Sequence, residues 1–283
     1  MKRRPFLLKL SLTLLITFTC LGQSTMVKED FSEHGFSIIL SDDPAFGDEL
    51  QKLGFSTNPS PYSVVVKNTS QRGIVAFGMR FTKRFANGHI ATSDVTETQP
   101  SALVDRGRPV RYDKPYGVLV MPGRSRLITP ENGIVNPSPK ATTAHTSYQP
   151  NLSWTITKVE LDSAVFDDGE AVGPDQLDVV KRLKAHVDAL QDLVEEISGR
   201  LAKGERLNAV LQDLTTSSNT GFSKRDVRTM TPTNLDQVYS LVRQHYLGEL
   251  SATETNAGEE IATRRLRQLQ YTIRPRIHPK GGS

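Results

Sequence analysis

Hydrophobic and polar residues alternate with a period of two over residues 74–82. The first set of alternating positions holds large apolar side chains: Val75, Phe77, Met79 and Phe81. The second set holds small or polar ones: Ala76, Gly78, Arg80 and Thr82. Because successive side chains of a strand point to opposite faces, this pattern predicts a half-buried antiparallel strand. Residues 62–67 are predicted to be its hairpin partner across the polar turn at residues 68–73.

Other runs rich in β-branched residues, bounded by Pro, Gly and Asn, predict strands at residues 36–40, 103–104, 118–121, 127–128, 151–166 and 171–172. In the longest run Trp154 and Ile156 share one parity, whereas Val159, Leu161 and Val165 share the other. This change of face predicts a bulge near residues 157–158. The pairs Asn87-Gly88 and Asp168-Gly169 predict type I′ turns. Residues 42–53 are predicted to hold one short helical turn.

The period changes after residue 174. Seven apolar residues recur at alternating spacings of three and four, which predicts a helix with an a/d heptad seam. The seam consists of Val180, Leu183, Val187, Leu190, Val194, Ile197 and Leu201. Asp175 is predicted to cap this helix. Its flanking e and g positions include Lys184, Leu193 and Arg200 but no acid, so we expect packing inside the chain before self-association.

Three further amphipathic stripes follow in the predicted helical region, residues 175–273. The second helix is predicted at residues 207–214. The third is expected to start at Pro232 and to turn four residues inward: Leu235, Val238, Val242 and Tyr246. The fourth is expected to start at Gly258 and to bury Ala262, Leu266, Leu269 and Ile273. The predicted class is therefore α+β, with an antiparallel β-sandwich at residues 35–174 and a C-terminal helical segment.

The sandwich half also resembles a known kind of domain. Val-Lys-Asn-Thr-Ser at residues 66–70, followed by Ile-Val-Ala-Phe at residues 74–77, is similar to immunoglobulin-like or fibronectin-like β-sandwich domains of exported bacterial proteins. The late strand at residues 159–166, closed by Asp-Asp-Gly and Gly-Pro-Asp, looks like the end of such a domain. The resemblance covers about residues 35–175 and implies a fold, with no activity attached.

The first 22 residues have the layout of a secretory signal peptide, with a basic start at residues 1–4, an apolar core to about Phe18 and then small residues. The core is too short for a transmembrane helix, so cleavage between Cys20 and Thr25 and a periplasmic or extracellular location are predicted. Cys20 is the only cysteine. A lipid anchor there is the less favoured alternative, since Thr17 and Thr19 fit the lipoprotein pattern poorly.

The net charge changes once the predicted signal is removed. The whole chain has 35 basic and 31 acidic residues, and four of the bases but no acid lie before residue 23. The mature chain would then be neutral, so its composition predicts no nucleic-acid partner. No acid follows Glu260, whereas six bases do. Residues 274–283 are predicted to form a basic, flexible tail.

The sequence contains one candidate ligand patch. None of the six histidines has a second metal ligand at zinc spacing, and phosphate loops, dinucleotide fingerprints and nucleophile elbows are absent from the sequence. We therefore expect no metal and no cofactor, although a Ser/His/Asp site assembled from distant residues stays open. His186 is expected at a surface or interface. The candidate patch for an anionic polysaccharide or peptide comprises Arg106, Arg108, Arg111, Tyr112, Tyr116, Arg124 and Arg126.

These observations favour an exported, non-enzymatic binding or scaffold module of the cell envelope. The alternative is a hydrolase or accessory enzyme that acts on envelope polymers.

Overall fold

The computed structural model describes residues 26–99, 103, 118–136, 154–217 and 234–270. This part of the chain is mixed α+β, as predicted, with two sheets and five α-helices. The strands are β1 (Val27–Glu29), β2 (Phe36–Ile39), β3 (Val64–Asn68), β4 (Ile74–Phe85), β5 (Ile90–Thr98), β6 (Ser125–Thr129), β7 (Gly133–Val135), β8 (Trp154–Phe166) and β9 (Ala171–Val172). The helices are α1 (Phe46–Lys52), α2 (Val179–Ala202), α3 (Leu207–Ser217), α4 (Leu235–Ala257) and α5 (Glu259–Gln270), with a 3-10 turn at Ser32–His34.

The first sheet has the strand order β1-β8-β4-β5, with β9 on β8, and the second has the order β2-β3-β6-β7. All pairs are antiparallel except β1 with β8, which is parallel. The first sheet thus begins before residue 35, where the sequence predicts no strand. Of residues 118–121, Val120 forms an isolated bridge with Ile74 and no strand is present. Leu103 is buried but has helical backbone, so the strand predicted at residues 103–104 is wrong at this position, and Val104 lies outside the described residues.

The predicted hairpin of β3 with β4 is wrong, because the two strands belong to different sheets. Asn68 explains how the chain crosses between them. It is fully buried, and its side-chain amide donates to the carbonyls of Arg72 and Val120, at 2.6 and 3.1 Å. Its side-chain oxygen accepts from the backbone N–H of Ser70 at 3.0 Å. These bonds satisfy the backbone groups of the crossing, which a two-residue hairpin would have paired itself.

One apolar cluster contains side chains from both sheets. The first sheet contributes Ile74, Phe77, Met79, Phe81, Ile156, Val159, Leu161, Ala164 and Phe166. The second sheet contributes Phe36, Ile38, Val64, Val66 and Ile128. Phe36 and Phe77 meet edge to face with their ring centroids 5.7 Å apart. The core of the β half therefore lies between the two sheets.

Irregular register explains which sides of β4 and β8 the residues occupy. The predicted bulge is confirmed at Thr157, which lies between the pairs Ile156–Lys83 and Lys158–Thr82. A second bulge at Asp162 has no counterpart in the sequence prediction. It places Val165 in a different cluster from Val159 and Leu161, contrary to the predicted parity.

A third register shift at Val75 removes this residue from the face of Phe77, Met79 and Phe81. Val75 packs instead with Ala76 and the start of α2, so its predicted place on that face is wrong. A bulge adds one residue to one strand and thereby reverses the faces of those that follow.

The two predicted glycine turns exist, but neither is of type I′. Only Gly88 of the first pair and Gly169 of the second have positive φ, at 83° and 87°. A type I′ turn needs positive φ at both central residues. Phe85 accepts from Gly88 N and donates to His89 O, both at 2.9 Å. This pattern belongs to a type I turn followed by a left-handed glycine.

Side-chain hydrogen bonds connect the two sheets at both pairs of neighbouring edge strands. Between β1 and β2, Lys28 Nζ donates to Ile38 O at 2.9 Å, and Ile38 N donates to Asp30 Oδ2 at 3.0 Å. Between β5 and β7, Ile134 N donates to Glu97 Oε1 at 3.1 Å. Ser93 Oγ also donates to Pro130 O at 3.0 Å. Backbone groups that an edge strand would offer to another chain are thereby occupied within this one.

The helices follow the predicted stripes closely. Six of the seven seam residues are buried and Leu201 is half-buried. From Val187 onward the buried ones share a cluster with α3, α4 and α5. Leu193, at a g position, is also fully buried. Leu235 is wrongly predicted to face inward: it is 40% exposed, because it is the first residue of α4. Ile273 lies outside the described residues.

Two aspartates join the sheet to α2. At the second bulge of β8, Asp162 accepts from the backbone N–H groups of Gln176 and Leu177 at 2.8 and 3.0 Å. Asp175 accepts from Val180 N and Lys181 N at 2.8 and 3.2 Å. The helix begins at Val179, but Asp175 still caps its first turn, as predicted.

Replacing Asp162 with alanine is expected to lower the free energy of unfolding by about 2–3 kcal/mol, because two backbone donors would lose a charged acceptor. Urea denaturation measures this change. Asp94→Ala is the control, since it removes only a partly exposed ion pair with Arg80, and should cost below about 1 kcal/mol. Equal losses would mean that Asp162 is not an anchor of the joint.

Candidate functional site

The predicted ligand patch is only partly within the described residues. Arg106, Arg108, Arg111, Tyr112 and Tyr116 lie outside them. Arg124 is exposed in the turn before β6. Arg126 is half-buried on β6, and its Nε donates to Leu119 O at 2.9 Å. Arg124 therefore presents its charge to solvent, whereas Arg126 uses part of its guanidinium to hold a neighbouring loop.

A buried carboxylate of α1, which packs on the second sheet, forms a cluster that the sequence did not indicate. β3 and β6 pair Lys67 directly with Ser125, and α1 carries Glu49 over them. Glu49 Oε1 accepts from Lys67 Nζ at 2.9 Å and from Lys52 Nζ at 3.0 Å. Its Oε2 accepts from Ser125 Oγ at 2.8 Å. The three residues lie on separate segments, which are brought together by the pairing of β3 with β6 and by the packing of α1 on these strands.

The electrostatics of this cluster oppose a nucleophilic role for Ser125. Burial by itself would raise the pKa of Glu49, but hydrogen bonds from Lys67, Lys52 and Ser125 outweigh burial and lower this pKa to about 2. Such a carboxylate is a very weak base and would not take a proton from the hydroxyl at neutral pH. Lys67 donates to the same carboxylate. The arrangement fastens α1 to the sheet.

We expect Glu49→Gln to lower the free energy of unfolding at pH 7 by about 2–3 kcal/mol, given the size of the shift in the Glu49 pKa. The folded pKa lies below the ordinary value of 4.5. The stabilisation is therefore present above pH 4.5 and is lost as the pH falls toward 2. Denaturation curves from pH 7 to 2 measure it. Glu29→Gln, at an exposed pair with Lys158, is the control and should keep the wild-type profile in that range.

Two histidines meet a buried tyrosine between α2 and α4. His186 and Tyr246 are in edge-to-face contact with centroids 6.1 Å apart, and His245 lies 5.1 Å from Tyr246. His186 is half-buried overall, but its Nε2 is enclosed and has no hydrogen-bond partner in the structure. Burial, and then the nearby His245, lower the pKa of His186 to about 4. The expected interface position is therefore an interface inside the chain.

An aromatic pair closes one end of the two sheets. Trp154, the single tryptophan, lies 4.9 Å from Tyr62 between ring centroids, and Tyr62 Oη donates to Trp154 O at 3.1 Å. Lys83 Nζ lies 4.5 Å from the indole centroid, within the range of a cation–π contact. Burial raises the pKa of Tyr62. These contacts join β8 to the start of β3, and all of them are internal to the chain.

Within the described ranges, no three His, Cys, Asp or Glu side chains converge in a way that could hold a metal ion. In the same ranges, no helix combines the length and apolar character required to cross a bilayer.

Comparison with known proteins adds no relative to this picture. No protein-family model, no curated protein and no solved structure matches the chain.

Proposed function

We propose that this chain is an exported, non-enzymatic binding or scaffold protein of the cell envelope, periplasmic or extracellular. In this proposal an immunoglobulin-like β-sandwich and a helical bundle form one continuous unit. The sandwich presents the candidate ligand patch, which includes Arg124, to an anionic polysaccharide or peptide.

The joint between the sheet and α2 carries the proposal. Val75, Ala76 and Val165 of the first sheet pack with Val179 and Leu183 of α2 in one apolar cluster. Asp162 and Asp175 fix the connecting backbone at the same place. A Cβ added at Gly78 would lie 3.0 Å from Val179 Cγ2, so the helix sits directly on the strand. Rigid coupling of two units suits a protein that holds a partner at a set position.

The sandwich interpretation draws support from the apolar cluster shared by the two sheets and from their antiparallel pairing. The strand order limits the likeness to immunoglobulin domains. The observed strand orders, β1-β8-β4-β5 and β2-β3-β6-β7, differ from the ABED and CFG orders of constant-type immunoglobulin domains. The proposed resemblance therefore extends to two packed sheets more than to their connections.

The heptad pattern of α2 bears on self-association. A two-stranded coil would need the seam to face a second copy. The burial of six of its residues against helices and strands of the same chain supports internal packing instead. We therefore propose a monomeric bundle rather than a helical dimer.

Incubation of the full chain with purified peptidoglycan sacculi separates binding from hydrolysis. A binding protein should sediment with the sacculi and release no soluble fragments. Release of fragments would favour the alternative, an enzyme that acts on envelope polymers. If the protein neither sediments with the sacculi nor releases fragments, the proposal of an anionic envelope ligand of this class is contradicted.

Matched variants test whether the candidate ligand patch contributes to binding in that assay. Arg124→Glu should weaken sedimentation about fivefold, because reversal of one exposed charge is worth about 1 kcal/mol. Arg84→Glu, an equally exposed position on β4, is the control and should bind as the wild type does. Equal weakening by both would assign the binding to overall charge.

Export is tested in the host organism. Mass spectrometry of the protein from its own cells should find a mature N-terminus between Cys20 and Thr25. An intact Met1 on a protein from the cytosolic fraction would contradict the proposal.

A further inference from the structure

The interface of α2 with α4 contains an imidazole nitrogen that lacks a partner among the described residues. His186 Nε2 is buried without a hydrogen bond there, and the ring of His186 makes an edge-to-face contact with Tyr246. Native structures rarely leave a buried polar atom unpaired, so such an atom calls for an explanation. A neutral imidazole leaves one ring nitrogen unprotonated, which is tolerable in an apolar interface, whereas an imidazolium carries a donor on both nitrogens and a full charge.

The geometry points to an acid-sensitive latch: protonation of His186 loosens α2 from α4 and thereby opens the helical bundle. This inference goes beyond the proposed function and does not depend on it. The packed form excludes the charged imidazole, and the loosened form hydrates it. Acid therefore favours the form that binds the extra proton.

The groups around the latch do not compensate for that charge. From α4, the neighbouring titratable groups are His245 and Tyr246, and His245 acts against protonation of His186. On α2, Lys184 and Asp188 are paired with each other. Within the described residues, no carboxylate forms a hydrogen bond or ion pair with His186 or His245.

Three other carboxylates on these helices have partners of their own. Asp192 accepts from Tyr239 Oη at 2.6 Å. Glu196 is paired with Arg243, and Glu249 is paired with Arg265 of α5. A protonated His186 would thus enter the interface without an acid already placed to receive it.

The direction of the effect follows from the His186 pKa, which is about 4 in the folded chain against an ordinary 6.5. Because the pKa of His186 is lower in the folded chain, the contribution of neutral His186 to stability is complete above pH 6.5. This contribution falls as the pH decreases below 6.5 and reaches its lowest level near pH 4. Between pH 7.5 and pH 5 the unfolding equilibrium of the bundle should shift about 30-fold toward the open form. At pH 5 Glu49 is still ionised in the folded state, because its pKa is about 2.

The test is urea unfolding of the full chain at pH 7.5 and pH 5, followed by helical circular dichroism. The wild type should show the 30-fold shift, and both His186→Phe and His186→Leu should lose most of it. Two apolar replacements of different size are used, so that overpacking by one of them cannot explain a loss of the shift in both variants. His245→Gln, at an exposed position, is the matched control and should retain most of the shift.

Three results would overturn the latch. The first is a wild type whose bundle is equally stable at both pH values. The second is a shift that persists unchanged in both His186 variants. The third is a shift that His245→Gln abolishes while the His186 variants keep it, because the sensitive group would then be the exposed histidine.

Discussion

Replacing Leu190 with aspartate is expected to unfold the helical region while the two sheets remain folded. Leu190 is 1% exposed and lies in the cluster formed by α2, α3, α4 and α5. Removal of a buried leucine costs about 2–5 kcal/mol, and a buried, unpaired carboxylate adds to that cost. The total is comparable with the whole stability expected of a unit of this size.

The chain offers separate readouts for its two halves. Circular dichroism at 222 nm follows the helices, and the fluorescence of Trp154, the single tryptophan, follows the end of β8 in the first sheet. The Leu190→Asp variant should lose most of its helical signal and keep a cooperative fluorescence transition. Gln191→Asp, at the half-exposed neighbouring position, should keep both signals. A Leu190→Asp protein that melts as the wild type does would contradict the buried position of the seam.

Phe77→Ala is expected to destabilise the β half by about 3–5 kcal/mol, the range for a core phenylalanine. Phe77 is fully buried between the sheets and meets the ring of Phe36. Its loss leaves a cavity bounded by strands of both sheets, which close packing cannot easily fill. Urea denaturation followed by Trp154 fluorescence measures the change.

The control for this substitution lies on the same strand. Arg80→Ala removes a surface ion pair with Asp94 and a hydrogen bond to Gln176. It should cost less than about 1 kcal/mol. If the two variants lost equal stability, the assignment of the two faces of β4 would be wrong.

Local periodicity was sufficient to locate most of the long elements, although it did not indicate the nine-residue strand β5 at Ile90–Thr98. The predicted cap at Asp175 and the seam from Val180 located the start of α2 to within four residues. Seven apolar side chains spaced alternately by three and four suit only a helix. The change of parity around Thr157 likewise indicated a real bulge. The second bulge, at Asp162, escaped because Ser163 and Ala164 beyond it are small and show no clear alternation.

Pairing between distant segments was much less predictable. The separation of β3 from β4 depends on how Asn68 bonds its surroundings, and the strand β1 exists only because β8 is there to receive it. The cluster at Glu49 needs three segments to meet. His186 was expected at a surface or interface, but a heptad argument assumes one partner helix. Here the cluster that includes α2 draws on three other helices, and packing of this kind encloses positions that a two-stranded coil would expose.

The parallel pairing of β1 with β8 has a consequence for the order in which the protein acquires its structure. Val27 lies opposite Lys158, so the first sheet cannot be completed until nearly the whole β half has left the ribosome. Closure of so long a loop must precede the contacts that reward it, which makes sheets of this kind slow to form. The helices, whose contacts are closer in sequence, are the faster unit. The edge strand β1 is therefore expected to join its sheet last, after β8 has been synthesised and has paired with β4.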